Sequence, residues 1–136
     1  SPPFSGARFS GMLHEALMRM AEQGDNIPLL PDGYPIELAV TATDFRGHPE
    51  TLRLNSPAQV EETEHRLPIT FRARVGEGRR DGMPAMLADP LELVLAARAT
   101  ASFPGAFPPL TLAEIDRDPL PIRLRNSAAR LLQPYL

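Results

Sequence analysis

The 136-residue sequence contains no cysteine, and this absence excludes disulfide bonds, a thiolate nucleophile and a zinc–sulfur site. No run approaches the ~18 uncharged apolar residues that a membrane-spanning helix requires, so we expect no transmembrane segment. The sequence also lacks the basic segment and apolar run of a secretory signal. Nothing demands an oxidising compartment, and we favour a cytoplasmic location. Because the chain opens with Ser1 instead of methionine, we expect a piece of a longer protein.

Several catalytic and binding motifs are also missing. No serine has the flanking glycines of a Gly-x-Ser-x-Gly nucleophile elbow, and no glycine-rich phosphate-binding motif is present. The three histidines are His14, His48 and His65, and none belongs to a metal-binding spacing. We therefore expect neither a metal nor another cofactor.

What the sequence does contain favours one folded unit. The length of 136 residues fits a single domain at most. Proline and glycine together make up 25 residues, which is above average but below the share that indicates disorder. Leu, Ile, Val and Phe supply enough apolar side chains for a core. The formal net charge of −3 and the 14 arginines, with no lysine, give no general attraction to nucleic acid.

The hydrophobic pattern predicts helices and strands along most of the chain. An apolar face begins at Phe9 and predicts a first helix that stops at Gly24. Its methionines could form an adaptable binding surface, although we expect ordinary core packing. The apolar run 36–43 predicts a strand covered on both faces, followed by a turn at 45–49 and a short returning strand at 51–54.

The second half of the chain shows clearer patterns. Alternation over 67–75 predicts a half-buried strand, which Pro68 places at a sheet edge. Asp89, Pro90 and Glu92 form the start signal of a helix that is apolar nearly all round and hence buried, over 90–102. Thr111 and Glu114 form a second capping box. Further helices are expected near 111–117 and 124–132.

Two charged stretches have alternative interpretations. Five arginines between positions 66 and 80 could bind phosphate or nucleic acid, namely Arg66, Arg72, Arg74, Arg79 and Arg80. Nearby glutamates neutralise most of that charge, and there is little aromatic interleaving, so we favour a solvated strand face and no nucleic-acid partner. The acidic run 61–64 could collect a cation, but an exposed acidic surface is the commoner case.

Two segments carry a resemblance when they are taken together. The first is Ala-Thr-Asp-Phe-Arg-Gly at 42–47, and the second is the Ala-rich segment ending in Phe-Pro-Gly-Ala-Phe-Pro-Pro at 96–109. In this order and spacing they resemble the patatin-like phospholipases, particularly the long bacterial patatin-related proteins. The similarity covers about residues 10–117. Residues 118–136 have no counterpart and form an unassigned helical tail of the single fragment 1–136.

The resemblance implies an α/β fold, which for this chain means part of an α/β/α sandwich with a mixed sheet. It also implies a serine–aspartate dyad that hydrolyses acyl esters of lipids. The family's serine elbow lies upstream of the Ala-Thr-Asp strand, and its Asp-Gly-Gly or Asp-Gly-Ala motif lies downstream of the Phe-Pro-Pro loop. Neither is present, since Asp32-Gly33 and Asp81-Gly82 both precede that loop. We therefore expect no catalytic residue in this chain.

The retained residues suggest supporting roles. Phe103, Pro104, Gly105 and Phe107 are candidates for the wall of an acyl pocket, or else their loop merely caps the buried helix. Thr43 and Asp44 are candidates for supporting the active site, although Asp44 could simply cap the turn that follows it.

Two functions follow as expectations. The first is the central part of a patatin-like serine acyl hydrolase, inactive alone, whose parent acts on a lipid or acyl ester. The alternative is a non-catalytic binding or interaction module of patatin-like architecture. Exposed sheet edges of such a fragment would also allow self-association, which we expect to be a consequence of the truncation.

Overall fold

The computed structural model describes residues 5–23, 29–77, 87–102 and 107–111. These contain the helices α1 (Gly6–Gln23) and α2 (Pro90–Thr100) and the strands β1 (Pro35–Arg53) and β2 (Gln59–Arg74). The two strands form one antiparallel sheet, so the described part of the chain belongs to the mixed α/β class. The helices predicted near 111–117 and 124–132 lie outside the described residues.

Helix α1 confirms the helix predicted from the apolar face that begins at Phe9. Its only buried residue is Ser10, whereas Met12 and Met20 are 54% and 69% exposed. The expectation that the methionines pack in the core is therefore wrong for these two residues. The pattern correctly indicates a helix with one apolar face, but it does not reveal how much of that face the neighbouring elements cover.

Strand β1 is one continuous strand where the sequence predicts two strands and a turn. Residues 45–49 do not reverse the chain, because β1 runs on to Arg53 and only its pairing with β2 shifts between Thr43 and His48. The run 36–43 is also not covered on both faces. Its odd-numbered residues are exposed, and Leu38 on the other face is still 39% exposed.

Strand β2 confirms the predicted alternation. Ile69 and Phe71 are buried at 4% and 5% exposure, while Thr70 between them and Arg72 and Arg74 beyond them are exposed to solvent. These two side chains form the core with Ala96 of α2, and Val40 of β1 packs against the cluster. One face of the two-stranded sheet therefore packs against α2, and the opposite face is exposed to solvent.

Helix α2 begins as the sequence predicts. The Asp89 carboxylate accepts a hydrogen bond from the Leu91 N–H at 2.9 Å, and Pro90 occupies the first helical position, where no N–H is required. The helix is buried on most sides, as its composition indicates, and it ends at Thr100, two residues before the predicted end. It contacts both α1 and β1, which makes it the central element of the described fold. No helix in the described ranges is both long and apolar enough to cross a bilayer.

Candidate functional site

Thr43 and Asp44 lie where β1 leaves its regular ladder. Thr43 is the last residue in the first register, opposite Arg66, and the next aligned pair is His48 with Glu64. Residues 44–47 thus face a single residue of β2, and the strand bulges outward there. The sequence signal for a turn at this point therefore marks a bulge within the strand.

Asp44 holds this bulge through several contacts. Its Oδ1 accepts a hydrogen bond from the Arg46 N–H at 3.0 Å, and its Oδ2 lies 3.8 Å from His48 Nδ1. The Asp44 carbonyl oxygen lies 2.8 Å from His65 Nδ1. A carbonyl oxygen can only accept, so this contact requires the His65 tautomer that carries its proton on Nδ1. These contacts connect the bulge to β2, so Asp44 helps to shape the hairpin that β1 and β2 form.

Glu64 forms a second polar anchor beside the bulge. Its Oε1 accepts hydrogen bonds from the backbone N–H groups of His65 and Arg66, each at 2.8 Å, and its Oε2 lies 3.1 Å from Arg66 Nη2. The Arg66 side chain, followed by its backbone N–H, lowers the pKa of Glu64 from 4.5 to about 2. Each of these donors favours the ionised carboxylate, so the anchor is strongest when Glu64 is charged.

This anchor predicts a pH dependence of stability. The pKa of Glu64 is depressed on folding, so its contribution is fully present above pH 4.5 and is lost as the pH falls to about 2. We expect Glu64→Gln to remove that part of the acid destabilisation. The measurement is the midpoint temperature of unfolding across this pH range for wild type, Glu64→Gln and the control Glu61→Gln. Parallel pH profiles for wild type and Glu64→Gln would contradict the assignment.

Phe107 lies at the junction of the two helices. Its ring stacks on Phe9 of α1, with the ring centroids 4.5 Å apart and the planes 17° from parallel. The Arg98 guanidinium carbon of α2 lies 5.5 Å from the centroid of Phe9. Offset stacking and a cation over an aromatic face are both favourable arrangements. The three side chains therefore connect Phe107, which follows α2 in the chain, with both helices.

Arg98 is fully buried, with no exposed surface. Its Nη1 lies 3.5 Å from Ser102 Oγ, and the same hydroxyl donates to the Arg98 carbonyl oxygen at 3.3 Å. These contacts connect Arg98 in the last turn of α2 to Ser102, which follows the helix. The other pocket candidates, Phe103, Pro104 and Gly105, lie outside the described residues.

The candidate residues thus fall into two groups. Thr43 and Asp44 belong to the hairpin, whereas Phe107 contacts α1, and α2 is the element that packs against both. The sequence reasoning missed Phe9 as the partner of Phe107, and Arg98 as a partner of Phe9. A signal for Arg98 existed, because it is a charged residue in the last turn of a mostly apolar helix, and such a residue is buried with its partners when the helix is covered.

Arginine side chains of β2 contact neighbouring residues on β1 and just before it. Arg72 Nε lies 2.6 Å from Glu37 Oε2, and Arg74 Nη1 donates to the Gly33 carbonyl oxygen at 3.1 Å. The contact with Glu37 raises the pKa of the Arg72 guanidinium. This pattern supports a solvated strand face for the described arginines. Within the described ranges, no group of three His, Asp or Glu residues converges as a metal site.

Comparison with known proteins gives no assignment. No family model matches the chain, and no curated protein or solved structure matches it either.

Proposed function

We propose that this chain is the central part of a patatin-like serine acyl hydrolase that acts on acyl esters of lipids. The observation that carries the proposal is the segment 96–109, in which an Ala-rich helix leads into the Phe-Pro-Gly-Ala-Phe-Pro-Pro loop. The Ala-Thr-Asp segment at 42–44 stands before it in the order that the resemblance requires. In this proposal the chain supplies scaffold and pocket wall, not the reacting groups.

The described contacts support a wall function for the loop. Phe107 is followed by Pro108 and Pro109, whose fixed φ angles limit the conformations of the backbone. The Phe107 ring is held by Phe9, so an apolar surface is ordered before any ligand arrives. Preordered apolar surface suits an acyl chain, because binding then requires little further loss of side-chain freedom.

The chemistry of acyl transfer explains why we propose that this chain is inactive alone. The reaction needs an activated nucleophile, a base within hydrogen-bond reach and donors for the oxyanion. The sequence offers no nucleophile elbow and no Asp-Gly pair after the Phe-Pro-Pro loop. These groups would come from the flanking sequence of a longer protein.

The test is hydrolysis of a short-chain aryl ester by the protein encoded by the full reading frame. We expect a Gly-x-Ser-x-Gly motif upstream, ester hydrolysis that is lost when its serine becomes alanine, and no acyl-enzyme burst from the 136-residue chain. A reading frame without that serine, or an intact protein without hydrolysis, would favour the non-catalytic binding module instead.

The pocket role is tested in the same protein by comparing two phenylalanines. Phe107→Ala should change the preference for acyl-chain length, because it removes an ordered apolar surface from the proposed wall. Phe45→Ala is the matched control, since Phe45 is 96% exposed on the bulge of β1. An unchanged chain-length preference in Phe107→Ala would leave the loop as a simple cap of α2.

A further inference from the structure

The hydrogen bonds at the base of the hairpin define which backbone groups face outward from the sheet. Val75 donates its N–H to Tyr34 O and accepts from the Gly33 N–H, both at 2.9 Å, so its polar groups face β1. Orientation alternates along an antiparallel strand, so the even-numbered residues 66–74 of β2 face away from β1. The Arg74 N–H agrees with this, because it donates to the Glu77 side chain.

The outer edge of β2 is unsuited to further pairing. Pro68 has no N–H and occupies one of its outward positions, and three of the other four outward residues are arginine. Proline and charge on an edge strand are the usual devices that prevent association of sheets.

Beyond its first residue, the outer edge of β1 has the opposite character. Its outward positions are Pro35, where the strand begins, and then Glu37, Ala39, Thr41 and Thr43, the partners across the ladder of outward-facing β2 residues. Three of the last four side chains are small and uncharged, and all four are exposed. Within the described residues the sheet contains only β1 and β2, so no described strand pairs with this edge. A two-stranded sheet gains stability from a third strand.

We propose that this edge, residues 37–43 of β1, pairs with the same edge of a second copy of the chain. The two segments run antiparallel about a two-fold axis at Val40, so that Ala39 faces Thr41 of the second copy and Glu37 faces its Thr43. This is the register that pairs Glu37, Ala39, Thr41 and Thr43 of each copy with one another. It keeps the two Glu37 carboxylates at opposite ends, whereas pairing through β2 would bring arginines together. The proposal goes beyond the proposed function and concerns the 136-residue chain on its own.

The side chains on the other face of β1 favour the same arrangement. Leu38 is 39% exposed although it belongs to the apolar face, and the two-fold register places it opposite Ala42 of the second copy. Val40 meets Val40 across the axis. Pairing would therefore remove apolar surface from water on one face while the edge amides form hydrogen bonds.

The first test removes one outward N–H from each edge in turn. Thr41→Pro removes an N–H donor from the outer edge of β1 without removing a hydrogen bond between β1 and β2. Thr70→Pro makes the matched change on the outer edge of β2. We expect a dimer for wild type and Thr70→Pro in light scattering after gel filtration over a dilution series. Thr41→Pro should dimerise at least roughly 30-fold more weakly, because each dimer loses two hydrogen bonds. Circular dichroism checks that both variants are folded.

A charge exchange tests the register and does not rely on proline. One variant carries Ala39→Lys with Thr41→Lys, and the other carries Ala39→Glu with Thr41→Glu. In the two-fold register each variant alone brings like charges face to face, and the mixture brings opposite charges together. We expect two monomers that form a heterodimer on mixing. A monomeric wild type, equal effects of Thr41→Pro and Thr70→Pro, or no heterodimer would overturn the proposal. Because no substrate is involved, these outcomes are independent of the esterase test.

Discussion

Arg98→Ala should lower the free energy of unfolding by about 3 kcal/mol, since it leaves a cavity at a fully buried site. The guanidinium lies over the Phe9 ring and beside the Ser102 hydroxyl, so its loss also loosens the junction between α1, α2 and the loop. A domain of this size is stable by only about 5–15 kcal/mol, and a loss of this magnitude is easily measured.

Two comparisons separate burial from charge at Arg98. Arg98→Met keeps most of the volume and should therefore destabilise less than Arg98→Ala, because it leaves a smaller cavity. Arg72→Ala removes an exposed ion pair with Glu37 and should lower the free energy of unfolding by at most about 1 kcal/mol. Urea unfolding of the four proteins provides the measurement. Equal losses in Arg98→Ala and Arg72→Ala would show that burial of Arg98 is not what stabilises the junction.

The elements that could be predicted from the sequence are those whose signals are local. Helix α2 carries its own start signal in Asp89 and Pro90, and its apolar composition correctly predicts burial. Alternation over 67–75 likewise identifies the buried face of β2, because neighbouring positions on a strand point to opposite sides.

The bulge of β1 could not be predicted in the same way. Phe45 to Pro49 carries the residues of a reversing turn, and Gly47 indeed has the positive φ of 76° that turns use. Whether such a segment reverses the chain or bulges depends on how β2 pairs with it. That pairing involves His65, and neither local composition nor hydrophobic periodicity records it.

In the candidate site too, local sequence signals identify some residues, whereas contacts between distant segments decide which partners they meet. Phe107 is selected by its resemblance to a family motif, but the sequence places its stacking partner Phe9, almost a hundred residues earlier, only on an apolar helix face. The two edges of the hairpin also differ only after the register is known, because the direction of each N–H follows from the hydrogen bonds of Val75. Contacts between distant segments thus account for most of what the sequence did not reveal.

Gly47→Ala should be the most damaging small substitution in the hairpin, at a cost of about 3 kcal/mol in the free energy of unfolding. Gly47 has a φ of 76°, which an L-residue adopts at a cost of roughly 1–2 kcal/mol. A Cβ added there would overlap Thr63 Cγ2 and lie 3.0 Å from His65 Cε1. Strand β2 must therefore move away or the bulge must change its shape.

Two further variants isolate these contributions. Gly33 has a similar φ of 77°, but a Cβ at this position would have nothing within 4 Å, so Gly33→Ala should cost only about 1 kcal/mol. Thr63→Ala removes the overlapping methyl group, and in that background the cost of Gly47→Ala should fall towards the value at Gly33. A double-mutant cycle measured by urea unfolding gives the coupling between positions 47 and 63. If Gly47→Ala costs no more than Gly33→Ala, the bulge does not hold Gly47 against β2 as described.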